Sequence, residues 1–102
     1  MDDLFPPTPS DMEARLAERL RAARRARRWT QAELARRSGV SVATVARLEA
    51  AGQGQISSLL LLCTALGRLE DFDAVLKAPP PATLAELIAR EGARASGRVR
   101  TH

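Results

Sequence analysis

The sequence predicts an all-α fold of five helices, with one additional short helix near the C-terminus. The apolar residues are mostly Ala, Leu and Val, and the aromatic residues are one Trp and two Phe. This composition favours packed helices over a β-sandwich. Apolar residues also recur at three- and four-residue spacing between capping residues and glycines, as in amphipathic helices. A chain of 102 residues has room for one small domain and an appended element.

The first helix is predicted to follow an N-terminal arm. Residues 1–9 contain three prolines, and we expect this arm to be extended or disordered. Ser10 and Glu13 have the spacing of a capping box, which predicts a helix from Ser10 to about Arg27. Its inner face is a set of apolar residues at helical spacing: Met12, Leu16, Leu20 and Ala23.

Residues 29–49 predict two short helices joined by a tight turn. Thr30 and Glu33 form a capping box for a helix over about Gln31–Arg37, and Gly39 can adopt the left-handed conformation that ends it. Ser41 is an N-cap for the next helix, about Val42–Glu49. The residues expected to lock the two helices together are Leu34, Ala35, Val40, Val45 and Leu48. Such a pair projects its second helix outward, where a DNA major groove can receive it.

The rest of the chain divides at a run of prolines. Ser57 is predicted to cap a fourth helix that ends at Gly67, and Glu70–Leu76 a short acidic fifth helix. Pro79, Pro80 and Pro81 predict a stiff break. Thr83 and Glu86 then indicate a helix over Leu84–Glu91, ended by Gly92. We therefore divide the chain into the arm (1–9), a helical domain (10–77), the break with its short helix (78–91) and a basic disordered tail (92–102).

The charge is unevenly distributed along the chain. The net charge is +4, yet residues 15–47 carry ten Arg against two Glu, while residues 48–91 carry three basic and six acidic residues. A strongly cationic first half beside an acidic second half suits one face that meets phosphate.

The composition argues against several functional classes. Cys63 is the only cysteine and His102 the only histidine, so we expect no disulfide, no metal site, no cofactor and no enzymatic activity. Cys63 is interpreted as a small buried apolar residue, with a redox switch as the alternative. No apolar run is long enough to cross a bilayer and no secretory signal is evident, so we expect no membrane partner. The expected location is the cytoplasm, on the nucleoid when DNA is bound.

The string Thr-Gln-Ala-Glu-Leu-Ala…Gly-Val-Ser…Val…Leu-Glu over residues 30–49 resembles the Cro/cI-like (XRE) family of helix-turn-helix repressors. The flanking helices, around residues 16–24 and 56–67, extend the resemblance to residues 10–76. It implies a lambda-repressor-like bundle. It also implies a transcriptional repressor that binds an inverted repeat of double-stranded DNA as a homodimer, with helix 42–49 in the major groove.

The same resemblance implies roles for individual residues. Arg47 would read a base, since its planar guanidinium can donate two hydrogen bonds to guanine; the alternative is a solvated arginine. The other groove-entry positions hold Val42, Ala43 and Thr44, where family members often carry amides. This departure shifts the expected specificity toward DNA shape.

Other residues are expected to contact the DNA backbone or to hold the fold. The expected backbone contacts are Arg21, Arg24, Gln31, Ser41 and Arg28. Arg24 and Glu49 match a salt bridge of several relatives. Arg28 stands where the family usually has glycine, and Trp29 is interpreted as a plug between the first two helices.

A second function stays open at this point. Many small Cro-like proteins resemble HipB-type antitoxins, which pair with a toxin and regulate their own operon. The proline break followed by a short helix could wrap around such a protein partner. The sequence therefore predicts either an independent regulator or one subunit of a toxin–antitoxin pair.

Overall fold

The computed structural model describes residues 5–80 and 83–100, with side chains up to Gly92. The helices are α1 (Pro9–Ala26), α2 (Gln31–Ser38), α3 (Val42–Ala51), α4 (Ile56–Ala65) and α5 (Leu84–Arg100), with a 3-10 helix at Leu69–Phe72. The described ranges contain no β-strand, which agrees with the all-α prediction. Residues 1–4 of the predicted arm, residues 81–82 and residues 101–102 lie outside the described part.

The cap of α1 lies before the predicted one. Thr8 Oγ1 accepts a hydrogen bond from the amide of Asp11 at 3.1 Å, and the Asp11 carboxylate accepts one from the amide of Thr8 at 3.0 Å. Pro9 occupies the first helical position, where its missing donor costs nothing and its fixed φ fits the helix. The prediction of a Ser10–Glu13 box was therefore wrong, because Thr8, Pro9 and Asp11 begin the helix earlier.

The caps of the helix-turn-helix lie where the sequence places them. Thr30 Oγ1 accepts from the Glu33 amide at 3.0 Å, but the Glu33 carboxylate pairs with Arg36 and Arg37 instead of closing the box. Gly39, at φ +79°, ends α2, and the Ser41 hydroxyl accepts from the Thr44 amide at 3.1 Å to start α3. The helix then runs to Ala51, two residues beyond its predicted end.

Gly52 ends α3 in a position that admits no side chain. Its φ is +67°, and a Cβ built there would lie 2.5 Å from the backbone oxygen of Glu13. The C-terminal end of α3 therefore packs directly against the backbone of α1. A side chain at position 52 would therefore push the two backbones apart.

The second half of the domain differs from its prediction in two places. Gln55, not Ser57, is the N-cap of α4, and Ser57 lies inside the first turn, where its hydroxyl donates to Gln55 Oε1 at 3.4 Å. The predicted fifth helix over 70–76 is a single 3-10 turn followed by hydrogen-bonded turns. Seven residues with little apolar burial do not sustain an α-helix.

The core lies between α1, α2, α3 and α4. All five residues predicted to lock α2 to α3 are buried, and they pack with Leu20 of α1 and with Leu62 and Leu66 at the end of α4. Leu16 and Ala23 are half-buried, but Met12 is 37% exposed, so its place on the inner face was wrong. Met12 lies in the first turn of α1 and is not among the residues that pack against the core.

The C-terminal helix is twice as long as predicted. α5 begins at Leu84, with the Thr83 hydroxyl accepting from the Glu86 amide at 3.1 Å, but it passes through Gly92 and continues to Arg100. Glycine inside a helix costs only about 1 kcal/mol, which does not by itself end one. The expected stop at Gly92 and a wholly disordered tail were therefore wrong.

Candidate nucleic-acid interface

The start of α3 is the most open part of the helix-turn-helix. Ser41, Val42, Ala43 and Arg47 are exposed, and Thr44 is half-buried. On the opposite side of the same helix, Val45 and Leu48 are 0% and 4% exposed. The helix thus divides into a buried stripe and an exposed stripe that carries every predicted base-contacting residue.

Three polar side chains on the exposed stripe are linked by hydrogen bonds. The Ser41 and Thr44 hydroxyl oxygens lie 2.9 Å apart, and the Arg47 guanidinium donates to Thr44 Oγ1 at 3.3 Å. A guanidinium has five N–H donors, so Arg47 keeps most of its donors for another acceptor. The hydroxyls orient Arg47 along the helix surface, which reduces the conformational freedom it would lose on binding.

A buried ion pair holds α3 against α1. Arg24 donates to both carboxylate oxygens of Glu49, at 2.6 and 2.9 Å, and also to the carbonyl of Trp29 at 2.7 Å. Arg24 is 8% and Glu49 2% exposed. The salt bridge implied by the family resemblance is present, and it engages the guanidinium of Arg24 that was also expected to reach the DNA backbone.

Gln31 and Arg21 converge on the same glutamate. The Gln31 amide donates to Glu49 Oε1 at 3.1 Å, and the Arg21 guanidinium donates to the backbone oxygen of Glu49 at 2.6 Å. Both side chains are half-buried. They therefore connect the start of α2 and the middle of α1 to the end of α3, and each keeps further donors at the surface.

The electrostatics of this network favour the ionised glutamate. Burial alone would raise the pKa of Glu49, but the hydrogen bonds from Arg24 and Gln31 and the charges of Arg24 and Arg21 outweigh it and hold the pKa below its usual range. The hydrogen bond to Glu49 likewise raises the pKa of Arg24. Both members stay charged, so α3 remains fixed at neutral pH.

Trp29 is half-buried against the core beneath two arginines. The Arg37 guanidinium lies 4.4 Å and that of Arg27 5.2 Å from the centre of its ring, within the range of cation–π attraction. Arg27 also donates to the carbonyl of Leu66 at 2.9 Å, which ties α1 to the end of α4. The interpretation of Trp29 as a plug agrees with this packing.

Arg28 adopts a left-handed backbone conformation between α1 and Trp29. Its φ is +60°, and such a conformation costs a side-chain-bearing residue about 1–2 kcal/mol. The turn thus uses a conformation that glycine adopts without strain, built here with an arginine. Its side chain is exposed, beside the start of α2.

The geometry of α2 and α3 is that of a recognised DNA-binding motif. A packed pair of helices with a capped, outward-facing second helix defines a helix-turn-helix DNA-binding domain. A family model described as Helix-turn-helix matches residues 20–71. The chain belongs to this family, the Cro/cI-type (XRE) helix-turn-helix proteins, and is a DNA-binding protein of the kind that regulates transcription. No curated protein matches the chain.

The structure brings together most of the residues singled out from the sequence. Those on α3 share one exposed stripe, while Arg21, Arg24 and Gln31 meet at Glu49 behind it. What sequence reasoning missed is the joining of Gln31 and Arg21 to the ion pair, and the stacking of Arg27 and Arg37 on Trp29. Two arginines near a lone tryptophan are a signal for the second feature but not for its geometry.

None of the described helices has the length and apolar character needed to cross a membrane.

Proposed function

We propose that this protein is a sequence-specific repressor that binds an inverted repeat in double-stranded DNA as a homodimer, with α3 in the major groove. The observation that carries this proposal is the exposed stripe of α3, which is capped by Ser41 and bears no buried-core residue. A single helix-turn-helix covers only half of such a site, and twofold symmetry in the protein matches an inverted repeat.

Direct recognition of the DNA bases is assigned to the exposed stripe of α3. Arg47 would donate to guanine O6 and N7, a contact that discriminates by about 1–3 kcal/mol. Val42, Ala43 and the Thr44 methyl group would contact thymine methyl groups. Because Arg47 is a single long side chain among small ones, part of the specificity would come from the shape of the DNA.

Contacts to the DNA backbone are assigned to residues that border the stripe. Ser41 and Gln31 lie at the starts of α3 and α2, where free amides and the positive helix end favour phosphate. Arg21 and Arg28 add charge beside them. Arg24, because it is buried, is assigned mainly to holding Glu49. The excess of arginine over residues 15–47 would make binding fall steeply with salt.

The first experiment compares two variants on selected operators. Sites bound by the chain are selected from a random DNA pool, and affinities are measured for each single-base operator variant. Arg47→Ala should remove about 1–3 kcal/mol of preference at one base pair in each half-site. Gln31→Ala is the matched control, since loss of a backbone contact should weaken operator and random DNA alike.

Two results would count against this assignment. Unchanged relative affinities in Arg47→Ala would remove this residue as a reader. An absence of DNA binding by the unaltered chain at low salt would overturn the proposed function as a whole.

A second candidate function is that of a HipB-like antitoxin, or partner subunit of a toxin–antitoxin pair, which also regulates its own operon. The observation favouring it is α5, where Leu84, Leu87 and Ile88 are 71%, 42% and 63% exposed. Co-expression with the product of the adjacent gene tests it. A stable one-to-one complex that dissociates on Leu87→Lys would support an antitoxin, whereas a homodimer that represses alone would support the first function.

A further inference from the structure

The three polar side chains of the exposed stripe follow one another along α3. Ser41, Thr44 and Arg47 are spaced by three residues, so each is a neighbour of the next on the helix surface. The Ser41 hydroxyl donates to Thr44 Oγ1, and the Arg47 guanidinium donates to the same oxygen. Thr44 is therefore the middle member of a chain of hydrogen bonds that starts at the N-cap of α3 and ends at the proposed base reader.

The oxygen of Thr44 uses its acceptor capacity within the protein. A hydroxyl has one donor and two acceptor lone pairs. Thr44 Oγ1 accepts from Ser41 at 2.9 Å and from Arg47 at 3.3 Å, so both lone pairs have a partner on α3. What remains of the side chain is one O–H donor and the methyl group. The bonding of this oxygen is thus directed to its neighbours on the helix.

Thr44 is a stiff anchor for a long side chain. Its branched Cβ leaves few rotamers in a helix, and a threonine hydroxyl there commonly bonds the carbonyl oxygen of the preceding turn. Ser41 offers it a partner at the surface instead, and the Ser41 hydroxyl is itself fixed by the amide of Thr44 at 3.1 Å. Thr44 is half-buried, which restricts it further. Its oxygen is therefore a fixed point beside the flexible guanidinium of Arg47.

Arg47 has no competing carboxylate among the described residues. Glu33 and Glu49 form ion pairs with other arginines, and no ion pair within residues 5–80 or 83–92 includes Arg47. The bond to Thr44 uses Nη2, which carries two hydrogens on different edges of the planar group. One edge therefore keeps its two parallel N–H donors, the number that guanine O6 and N7 accept.

We propose that Thr44 is a positioning residue, whose hydroxyl holds the Arg47 guanidinium in place for a guanine in the major groove. This inference rests on the proposed function and names the residue that sets how strongly Arg47 discriminates. A side chain that is ordered before binding loses less conformational freedom when it meets the DNA. A guanidinium held at one place also donates to acceptors at that place alone. The hydroxyl of Thr44 thus acts through Arg47 and not on a base of its own.

The first test needs no DNA. Thr44→Val removes the hydroxyl and keeps the branched shape, whereas Thr44→Ser keeps the hydroxyl. Nitrogen-15 relaxation of Arg47 Nε, assigned by its absence in Arg47→Lys, measures the order of the guanidinium in the full chain. Thr44→Val should lower the order parameter, and Thr44→Ser should retain it. Thr64→Val is the matched control, because Thr64 is an exposed threonine of α4 and should leave Arg47 unchanged.

The second test measures base preference on operators selected with the unaltered chain. Thr44→Val should reduce the preference for guanine at the base pair read by Arg47 by about 2- to 10-fold, the range of one net hydrogen bond. Thr44→Ser should restore it. In an Arg47→Ala background, Thr44→Val should have no further effect at that base pair, since a residue that acts through Arg47 has nothing left to position.

Two results would overturn the positioning role and leave the assignment of α3 to DNA intact. One is an equal order parameter for Arg47 in Thr44→Val and in the unaltered chain. The other is a loss of preference that persists in the Arg47→Ala background, which would show that Thr44 contacts a base directly. Failure of the unaltered chain to bind DNA would overturn the proposed function and the guanine contact with it. The measurement on the free chain would then still decide whether Thr44 holds Arg47.

Discussion

Among the individual residues, Arg28 carries backbone strain that a glycine would not. Its φ of +60° costs about 1–2 kcal/mol. Replacement by glycine would remove this cost, but the greater flexibility of glycine in the unfolded chain would offset about 0.4–1 kcal/mol of the gain. We predict that Arg28→Gly stabilises the domain by about 0.5–1 kcal/mol, measured by urea unfolding. Arg25→Gly, at an exposed helical position, should destabilise it by about 1 kcal/mol. Destabilisation by both variants would show that the turn is not strained.

Glu49 is the residue whose loss should harm the fold most. Removing it leaves Arg24 buried without its carboxylate, and an unpaired buried charge costs about 3–5 kcal/mol. We predict a loss of this size in the unfolding free energy of Glu49→Ala. Glu33→Ala is the control, because its ion pairs with Arg36 and Arg37 are exposed. It should change stability by less than about 1 kcal/mol, and similar losses in the two variants would contradict the role given to Glu49.

Of the helices, α3 depends on the Ser41 cap for its exposed end. The Ser41 hydroxyl accepts from the Thr44 amide and contacts the Thr44 hydroxyl. We predict that Ser41→Ala costs about 1 kcal/mol of stability and increases hydrogen exchange at the first turn of α3. Ser10→Ala is the matched control: Ser10 was predicted as a cap but lies inside α1, so its loss should have almost no effect. Equal losses would show that Ser41 is not acting as a cap.

The helices of the DNA-binding motif could be predicted closely, and those outside it less well. Thr30, Gly39 and Ser41 each have a local reason to begin or end a helix, so the bounds of α2 and the start of α3 follow from short-range chemistry. Ser10 and Ser57 have the same residue type but compete with neighbours that cap better or start the helix earlier. A capping residue is therefore recognisable from sequence, but which of two adjacent candidates is used depends on packing.

The candidate site shows the same limit. The exposed stripe of α3 followed from placing Val45 and Leu48 in the core, and the Arg24–Glu49 pair followed from family resemblance. The bonds of Gln31 and Arg21 to Glu49 span 18 and 28 residues of sequence. Contacts over such separations depend on how α1 crosses α3, which helical periodicity does not specify.

For the whole molecule, the carboxylates predict how stability changes with acidity. Hydrogen bonds from Thr8 lower the pKa of Asp11, those from Arg36 and Arg37 lower that of Glu33, and the pKa of Glu49 is also lowered. Each group has a folded pKa below its unfolded value of about 4, so the unfolded chain binds more protons in that range. The stabilisation is complete above the unfolded pKa and is lost as pH falls through the folded pKa.

We therefore predict that the midpoint temperature of unfolding does not change with pH near neutrality and decreases as the pH drops below about 4. Glu49→Gln should flatten this fall, because it removes the buried group whose ionised form the fold prefers. The measurement is calorimetry from pH 7 to pH 2 on both chains. A variant with the same pH profile as the unaltered chain would assign the acid sensitivity to other groups.

The placement of Trp29 has a practical consequence for the study of this protein. It is the only tryptophan in the chain, and two guanidinium groups lie over its ring, that of Arg27 at the end of α1 and that of Arg37 in α2. Intrinsic fluorescence therefore reports on one defined location, without labelling. Separation of the first two helices would hydrate the indole and move its emission to longer wavelength, so a spectrum alone would register loosening of this junction.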